Sequence, residues 1–219
     1  MSDPLVARLL KLDTPAVSDA LDRLEAPGRV TGIPRLTTGK RIAGRAITVK
    51  LGTGKSLGGP VRHLCTSAVE AGGPESVLVI EQRSGVEAAG WGGILSNGAK
   101  VRGIEGVICD GPVRDIDESR DLEFPVFARY AIPTTARGRI VEEAFNEPVT
   151  IGDVTVTPGD YVLADGSGIC FLEAGRAEEI IEVAEMVAKR EALMTEAVLR
   201  GEPISKVMGA DYEHMLKKG

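Results

Sequence analysis

Aromatic residues are scarce in this chain of 219 residues: Phe, Tyr and Trp make up 4% of it, with one Trp. Because 43% of the chain is hydrophobic, its core must come from Val, Ile, Leu and Ala. Histidine is scarcer still. The 2 residues, His63 and His214, are too few for a zinc site built on several imidazoles. The 3 cysteines, Cys65, Cys109 and Cys170, are odd in number and irregularly spaced, which argues for reduced thiols rather than a disulfide framework. Their apolar settings suit core residues better than nucleophiles. No run approaches the about 18 apolar residues of a membrane-spanning helix. The opening Met1-Ser2-Asp3-Pro4 has no basic stretch leading into an apolar one, so no signal peptide and a cytoplasmic location are expected. An excess of positive charge is missing too. Lys+Arg number 26 against 32 Asp+Glu, a net charge of -6, which removes the usual electrostatic basis for nucleic-acid binding.

What is present reads as α/β. Asp3-Pro4 and Thr14-Pro15 each place a capping side chain before a proline, predicting helices over 4–11 and 15–25. Residues 46–51, 76–81, 106–110 and 126–130 read as strands, with helices expected from about Pro60 to Ala71, over 93–102 and from Arg114-Asp115. That alternation predicts parallel sheet. After Gly138 short strands at 149–151, 154–156, 161–164 and 169–172 are separated by Gly-Asp and Pro-Gly-Asp turns, the pattern of antiparallel pairing. A long helix over about 174–200 closes the chain. No linker-like segment divides it, so residues 1–219 are expected to form one domain with two layers of sheet plus helices.

Two glycine motifs fail. Gly54-Lys55-Ser56 invites a phosphate-loop reading, but Val49 stands where the first Gly is required. Gly90-Trp91-Gly92 would need Gly at the position of Leu95 to bind a dinucleotide. His63 is expected on a helix beside Arg62. Lys40, Lys50, Lys55 and Lys100 show no buried pattern that would support Schiff-base chemistry.

Two consecutive strand ends carry more chemistry. One leads into Gly90-Trp91-Gly92-Gly93-Ile94-Leu95, a glycine turn opening a helix, where free N–H groups and the positive dipole end suit a carboxylate or phosphate. The other leads into Asp110-Gly111-Pro112-Val113-Arg114-Asp115-Ile116-Asp117-Glu118, one Arg among carboxylates. Ligands of α/β folds collect beyond the carboxyl ends of parallel strands, so the two loops are expected to face each other. Carboxylates without His or thiolate select Mg²⁺ or Mn²⁺. The same residues would also serve as a tight turn and a helix-start ion pair, and their chemistry alone does not choose between these roles.

Gly93, twenty residues, Arg114-Asp115, two residues and Glu118 resemble the G-x20-R-D-x2-E/D signature of the RraA-like family. The family comprises regulators of ribonuclease activity and class II aldolases acting on 4-hydroxy-4-methyl-2-oxoglutarate and 4-carboxy-4-hydroxy-2-oxoadipate. Thr14 to Leu21, Gly106 to Gly111 and Pro158-Gly159-Asp160 with Asp165-Gly166 look like its other landmarks. The resemblance implies a three-layer β/β/α swivelling fold with a mixed sheet, assembled as a homotrimer or homohexamer with sites between subunits. It implies a metal-dependent lyase that cleaves a 4-hydroxy-2-oxo acid to pyruvate, with oxaloacetate decarboxylation alongside. Arg114 and Asp115 are the implied catalytic residues. Gly92, Gly93, Ile94, Leu95 and Arg114 would bind substrate, and Asp115 and Glu118 the Mg²⁺ or Mn²⁺. The characterised aldolases carry Asp where this chain has Gly93, so Glu118 is expected to supply the missing acid. Glu191 is the candidate for an acid from a neighbouring subunit, and loops 52–60 and 134–139 for reading the far end of the substrate. The alternative is a non-catalytic protein that binds and regulates a ribonuclease.

Overall fold

The computed structural model describes residues 2–57 and 63–209. The expected helix start at Pro60 and His214 lie outside the described residues. Helices α1 (Pro4–Leu9) and α2 (Thr14–Arg23) precede a short strand β1 (Arg29–Val30) and the long β2 (Ile42–Gly52). Then come α3 (Thr66–Ala71), β3 (Ser76–Gln82), α4 (Gly93–Arg102), β4 (Gly106–Val113), α5 (Ile116–Asp121) and β5 (Val126–Ala131). Strands β6 (Val141–Phe145), β7 (Val149–Ile151), β8 (Val154–Val156), β9 (Tyr161–Ala164) and β10 (Ile169–Leu172) lead to α6 (Ala177–Leu199) and α7 (Ile204–Val207).

The main sheet runs β1-β10-β9-β2-β3-β4-β5, with β6 also paired to β2. Its β2–β5 half is parallel, and β1, β10, β9 and β6 join antiparallel. Strand periodicity sorts the side chains. Leu78 and Ile80 of β3, Val107 and Cys109 of β4 and Leu51 of β2 pack under α3 and α4. Their neighbours Val77, Val79 and Ile108 face the β7–β8 hairpin, meeting Val149, Ile151, Val154 and Val156. Tyr161, Leu163, Cys170 and Leu172 meet α1, α2 and α6 on the helical side. The layers are therefore helices, mixed sheet and hairpin, the β/β/α arrangement expected.

Several local readings are corrected. The cap of α2 is Asp13, which accepts the Ala16 amide at 2.9 Å; Thr14 is the first helical residue. The Thr14 hydroxyl turns instead to Asp165, donating at 2.6 Å, while its amide donates to the same carboxylate at 2.9 Å. Strand β4 continues to Val113 rather than ending at Asp110. Asp110 therefore lies on the hairpin face, buried, where it accepts from Arg129 Nε at 2.6 Å and from the Gly152 amide at 2.7 Å. It is a bolt between sheet and hairpin, away from Arg114. All three thiols are free and buried, and burial pushes each of them up, Cys170 to about 12, which disfavours the thiolate.

Asp165 gives the fold a pH dependence. Burial raises its pKa, but hydrogen bonds from Thr14 and Ser167 and the charge of Arg41 outweigh that and hold it below the ordinary carboxylate value. A depressed folded pKa contributes stability above the unfolded value, and that contribution is lost as pH falls through the folded one. Asp165→Asn should therefore lower Tm clearly at pH 7, and the gap to wild type should close as pH is taken below about 4. A constant gap across that range in thermal melts would show that Asp165 does not act through its charge.

Candidate active site

The two loops meet because β3 and β4 are neighbouring parallel strands. The backbone stitches their ends together: the Gly90 amide donates to Pro112 O at 2.8 Å, and the Arg114 amide to Trp91 O at 3.0 Å. Gln82, on the helical face of β3, holds the intervening loop by donating to Ala88 O at 2.7 Å. A cleft of about 440 Å³ opens there. Gly92, Gly93, Ile94, Leu95, Arg114, Asp115 and Glu118 all line it, so the structure brings every one of these candidates together. Asp117 is not among them; it is exposed and pairs with Arg120 at 2.9 Å.

The start of α4 has no side-chain cap of its own. Asp115 supplies one from across the cleft, its Oδ2 accepting the Gly93 amide at 2.9 Å and lying 3.3 Å from Arg114 Nε. The chain bends sharply to present it, with Asp115 in the left-handed region at φ 58°. The Ser96 amide is satisfied by Gly92 O at 3.1 Å. The amides of Ile94 and Leu95 are left with no acceptor among the described residues, as the first turn of a helix leaves them.

Gly93 and Glu118 are complementary in space. A Cβ on Gly93 would overlap the Glu118 carboxylate, and one on Gly92 would press on Asp115 Oδ2. Glu118 thus occupies the volume that a side chain at 93 would fill. Asn97 steadies it, donating to Glu118 Oε1 at 2.8 Å and to Gly93 O at 3.0 Å.

Sequence reasoning missed His63, Leu64 and Thr66 on the opposite wall, which Thr135 and Ala136 of the expected 134–139 loop complete. His63 precedes α3 rather than lying on it. Of the loops expected to read the far end of a ligand, only the one containing Thr135 and Ala136 reaches the cleft; 52–57 does not, and 58–60 lie outside the described residues. Glu142 of β6 fixes the His63 wall by accepting the Cys65 amide at 2.6 Å, and burial pushes its carboxyl above the usual range. Nothing in the pair Glu142-Glu143 signals that role before the strand is placed. Glu191 is not in the cleft of its own chain. It lies on α6, where burial and the nearby carboxylates of Asp19 and Asp13 raise its pKa.

The cleft can hold an anion at the α4 amides beside a guanidinium. Among the described residues no three His, Cys, Asp or Glu side chains gather to cage a metal. Two carboxylates in one cleft, Asp115 and Glu118, would suit Mg²⁺, which binds through one or two carboxylates, with waters and ligand oxygens completing the shell. No helix among the described residues is long and apolar enough to cross a membrane.

A family model described as RraA-like, Aldolase/RraA, matches residues 14–171. Protein DlpA of Legionella pneumophila is 25% identical over 202 residues, 92% of this chain and 33% of DlpA, so the chain spans about a third of that relative. A Halalkalibacterium halodurans protein named "Putative 4-hydroxy-4-methyl-2-oxoglutarate aldolase" is 29% identical over 82% of this chain and 81% of its own. The crystal structure of Streptomyces coelicolor RraAS2, described as an unusual member of the RNase ES inhibitor RraA protein family, aligns with a TM-score of 0.79. It is 24% identical and covers 90% of this chain and 99% of that one, a likeness of fold.

Proposed function

Because the chain belongs to the RraA-like (Aldolase/RraA) family, we propose that it is a divalent-metal-dependent lyase cleaving a 4-hydroxy-2-oxo acid to pyruvate and a second oxo acid, with oxaloacetate decarboxylation as a companion activity. The observation that carries this reading is the pair of amides, Ile94 and Leu95, unpartnered among the described residues, in one cleft with Arg114, Asp115 and Glu118. The name of the Halalkalibacterium halodurans relative supports the substrate class.

In this reading the Ile94 and Leu95 amides hold the C1 carboxylate of the substrate at the positive end of α4. Arg114 sets its guanidinium against the keto oxygen, where negative charge builds as the C3–C4 bond breaks. Asp115, fixed by the Gly93 amide, and Glu118, fixed by Asn97, would hold Mg²⁺ or Mn²⁺. When bound, that ion supplies Lewis acidity toward the 2-oxo acid oxygens. A water held by the Glu118 carboxylate would take the proton of the 4-hydroxyl. A homotrimer or homohexamer, with Glu191 of a neighbouring subunit closing the cleft, belongs to the same proposal, as does a cytoplasmic location.

Purified protein given Mg²⁺ or Mn²⁺ and a 4-hydroxy-2-oxo acid should release pyruvate, read by coupling to lactate dehydrogenase, and EDTA should abolish the release. Absence of metal-dependent turnover across a panel of 2-oxo acids that includes oxaloacetate would overturn the reading. It would leave the contact regulator of a ribonuclease, the other activity in the family.

A further inference from the structure

Behind the cleft lies a closed set of hydrogen bonds that the proposed chemistry does not use. Ser96 and Ser119 are both fully buried, and their Oγ atoms are 2.9 Å apart. The Trp91 indole N–H donates to Ser96 Oγ at 2.8 Å, and Ser96 Oγ lies 3.4 Å from Gly92 O. One arrangement of protons uses every donor: Trp91 and Ser119 both donate to Ser96 Oγ, which donates in turn to Gly92 O. Trp91 is held on its ring as well, stacked on Phe124 with centroids 6.3 Å apart, and the Phe124 amide donates to Ser119 O at 3.0 Å.

The position of this set is informative. Ser96 belongs to the first turn of α4, which carries the Ile94 and Leu95 amides; Ser119 belongs to α5, which carries Glu118 and follows Arg114-Asp115. The pair therefore joins the anion-binding half of the cleft to its charged half from the buried side. An apolar pair of similar size would pack there at little cost in stability, but it would prescribe no direction. Hydroxyls fix how α4 is turned against α5. A misplacement of about 1 Å in a site of this kind costs on the order of a hundredfold in rate.

We propose that Ser96 and Ser119, with Trp91, are positioning residues that set the spacing between the α4 amides and the Arg114-Asp115-Glu118 group. The proposal rests on the 2-oxo acid reading of the cleft. Removing Ser119 takes away the bond between the helices while leaving Trp91 its acceptor; removing Ser96 strands two donors, the Trp91 N–H and the Ser119 O–H. Ser119→Ala is therefore the cleaner probe; Ser96→Ala/Ser119→Ala removes the hydroxyl pair but still strands the Trp91 N–H.

Both variants should raise KM for the 2-oxo acid about fivefold or more and lower kcat, and the double variant should melt below Ser119→Ala because it also leaves the Trp91 N–H without its acceptor. In Ser119→Ala the emission of Trp91, the one tryptophan of the chain, should become more open to acrylamide quenching, and the amides of residues 93–96 should exchange faster. A KM within twofold of wild type in Ser119→Ala, against an active wild type, overturns the proposal whatever the emission does. If the wild type turns over no 2-oxo acid, the reading of the cleft has failed, and amide exchange decides the positioning role alone. Faster exchange at 93–96 in Ser119→Ala then supports it, and unchanged exchange overturns it.

Discussion

Arg114→Ala is expected to lower kcat/KM for the 2-oxo acid by at least about a hundredfold, roughly 3 kcal/mol of transition-state stabilisation, without a matching fall in Tm. The structure separates the two effects. What ties residue 114 into the fold is its backbone, whose amide donates to Trp91 O, and alanine keeps that bond. The side chain is 38% exposed and its recorded partner is the equally exposed Asp115, a pairing of small worth to stability. In the proposed reaction its charge acts when negative charge develops on the keto oxygen, so kcat should fall along with kcat/KM. Arg114→Lys should recover only part of the loss, because an ammonium cannot match the planar fork of the guanidinium on a carboxylate and a keto oxygen together. Steady-state kinetics with pyruvate detection measure this. A rise in KM with kcat unchanged would show that Arg114 binds substrate and transition state alike, and its proposed part in the bond-breaking step would be lost.

Gly93→Ala should leave the chain folded and cost about tenfold to a hundredfold in turnover, by pushing the Glu118 carboxylate out of place. Gly93 has no positive φ that alanine would strain, and the atoms in its way belong to the end of a flexible side chain. The displaced group is one of the two carboxylates proposed to hold the metal. Gly93→Asp/Glu118→Ala moves the acid from one side of the same volume to the other. It should recover a good part of the activity that either single change removes, a coupling that a double-mutant cycle reads directly. Simple additivity of the two losses, with metal dependence followed by titrating Mn²⁺ into metal-free protein, would show that the two positions do not share one role.

Much of the fold was legible in the chain before its structure. Residues 76–81 and 106–110 are largely apolar runs too short for a helix and too continuous for a half-exposed strand, so burial on both faces is expected. Strand β6 was not legible. Val141-Glu142-Glu143-Ala144-Phe145 has two charges at its centre, and it is a strand because β2 offers an edge to pair with. Helix α2 shows a local ambiguity settled at long range. Asp13 and Thr14 can both cap, and the buried Asp165, 151 positions away, draws the Thr14 hydroxyl to itself.

The site divides in the same way. Gly92 to Leu95 and Arg114 to Glu118 were determined by the chain itself, since each follows a strand and successive parallel strands open their ends side by side. His63 and Thr66 come from a segment with no motif, and only the packing of α3 around the same opening brings them in, whereas Thr135 lies in the expected 134–139 loop. Tertiary structure also decided which carboxylates line the cleft. In Asp110-Gly111-Pro112-Val113-Arg114-Asp115-Ile116-Asp117-Glu118 four acids compete. The strand runs to Val113, and its period of two turns Asp110 to the hairpin and Arg129. The left-handed bend at Asp115 then starts a helix that directs Asp117 to solvent and Glu118 into the space left open by Gly93. Composition had marked an oxygen-rich, histidine-poor chain; the geometry placed Asp115 and Glu118 in one cleft.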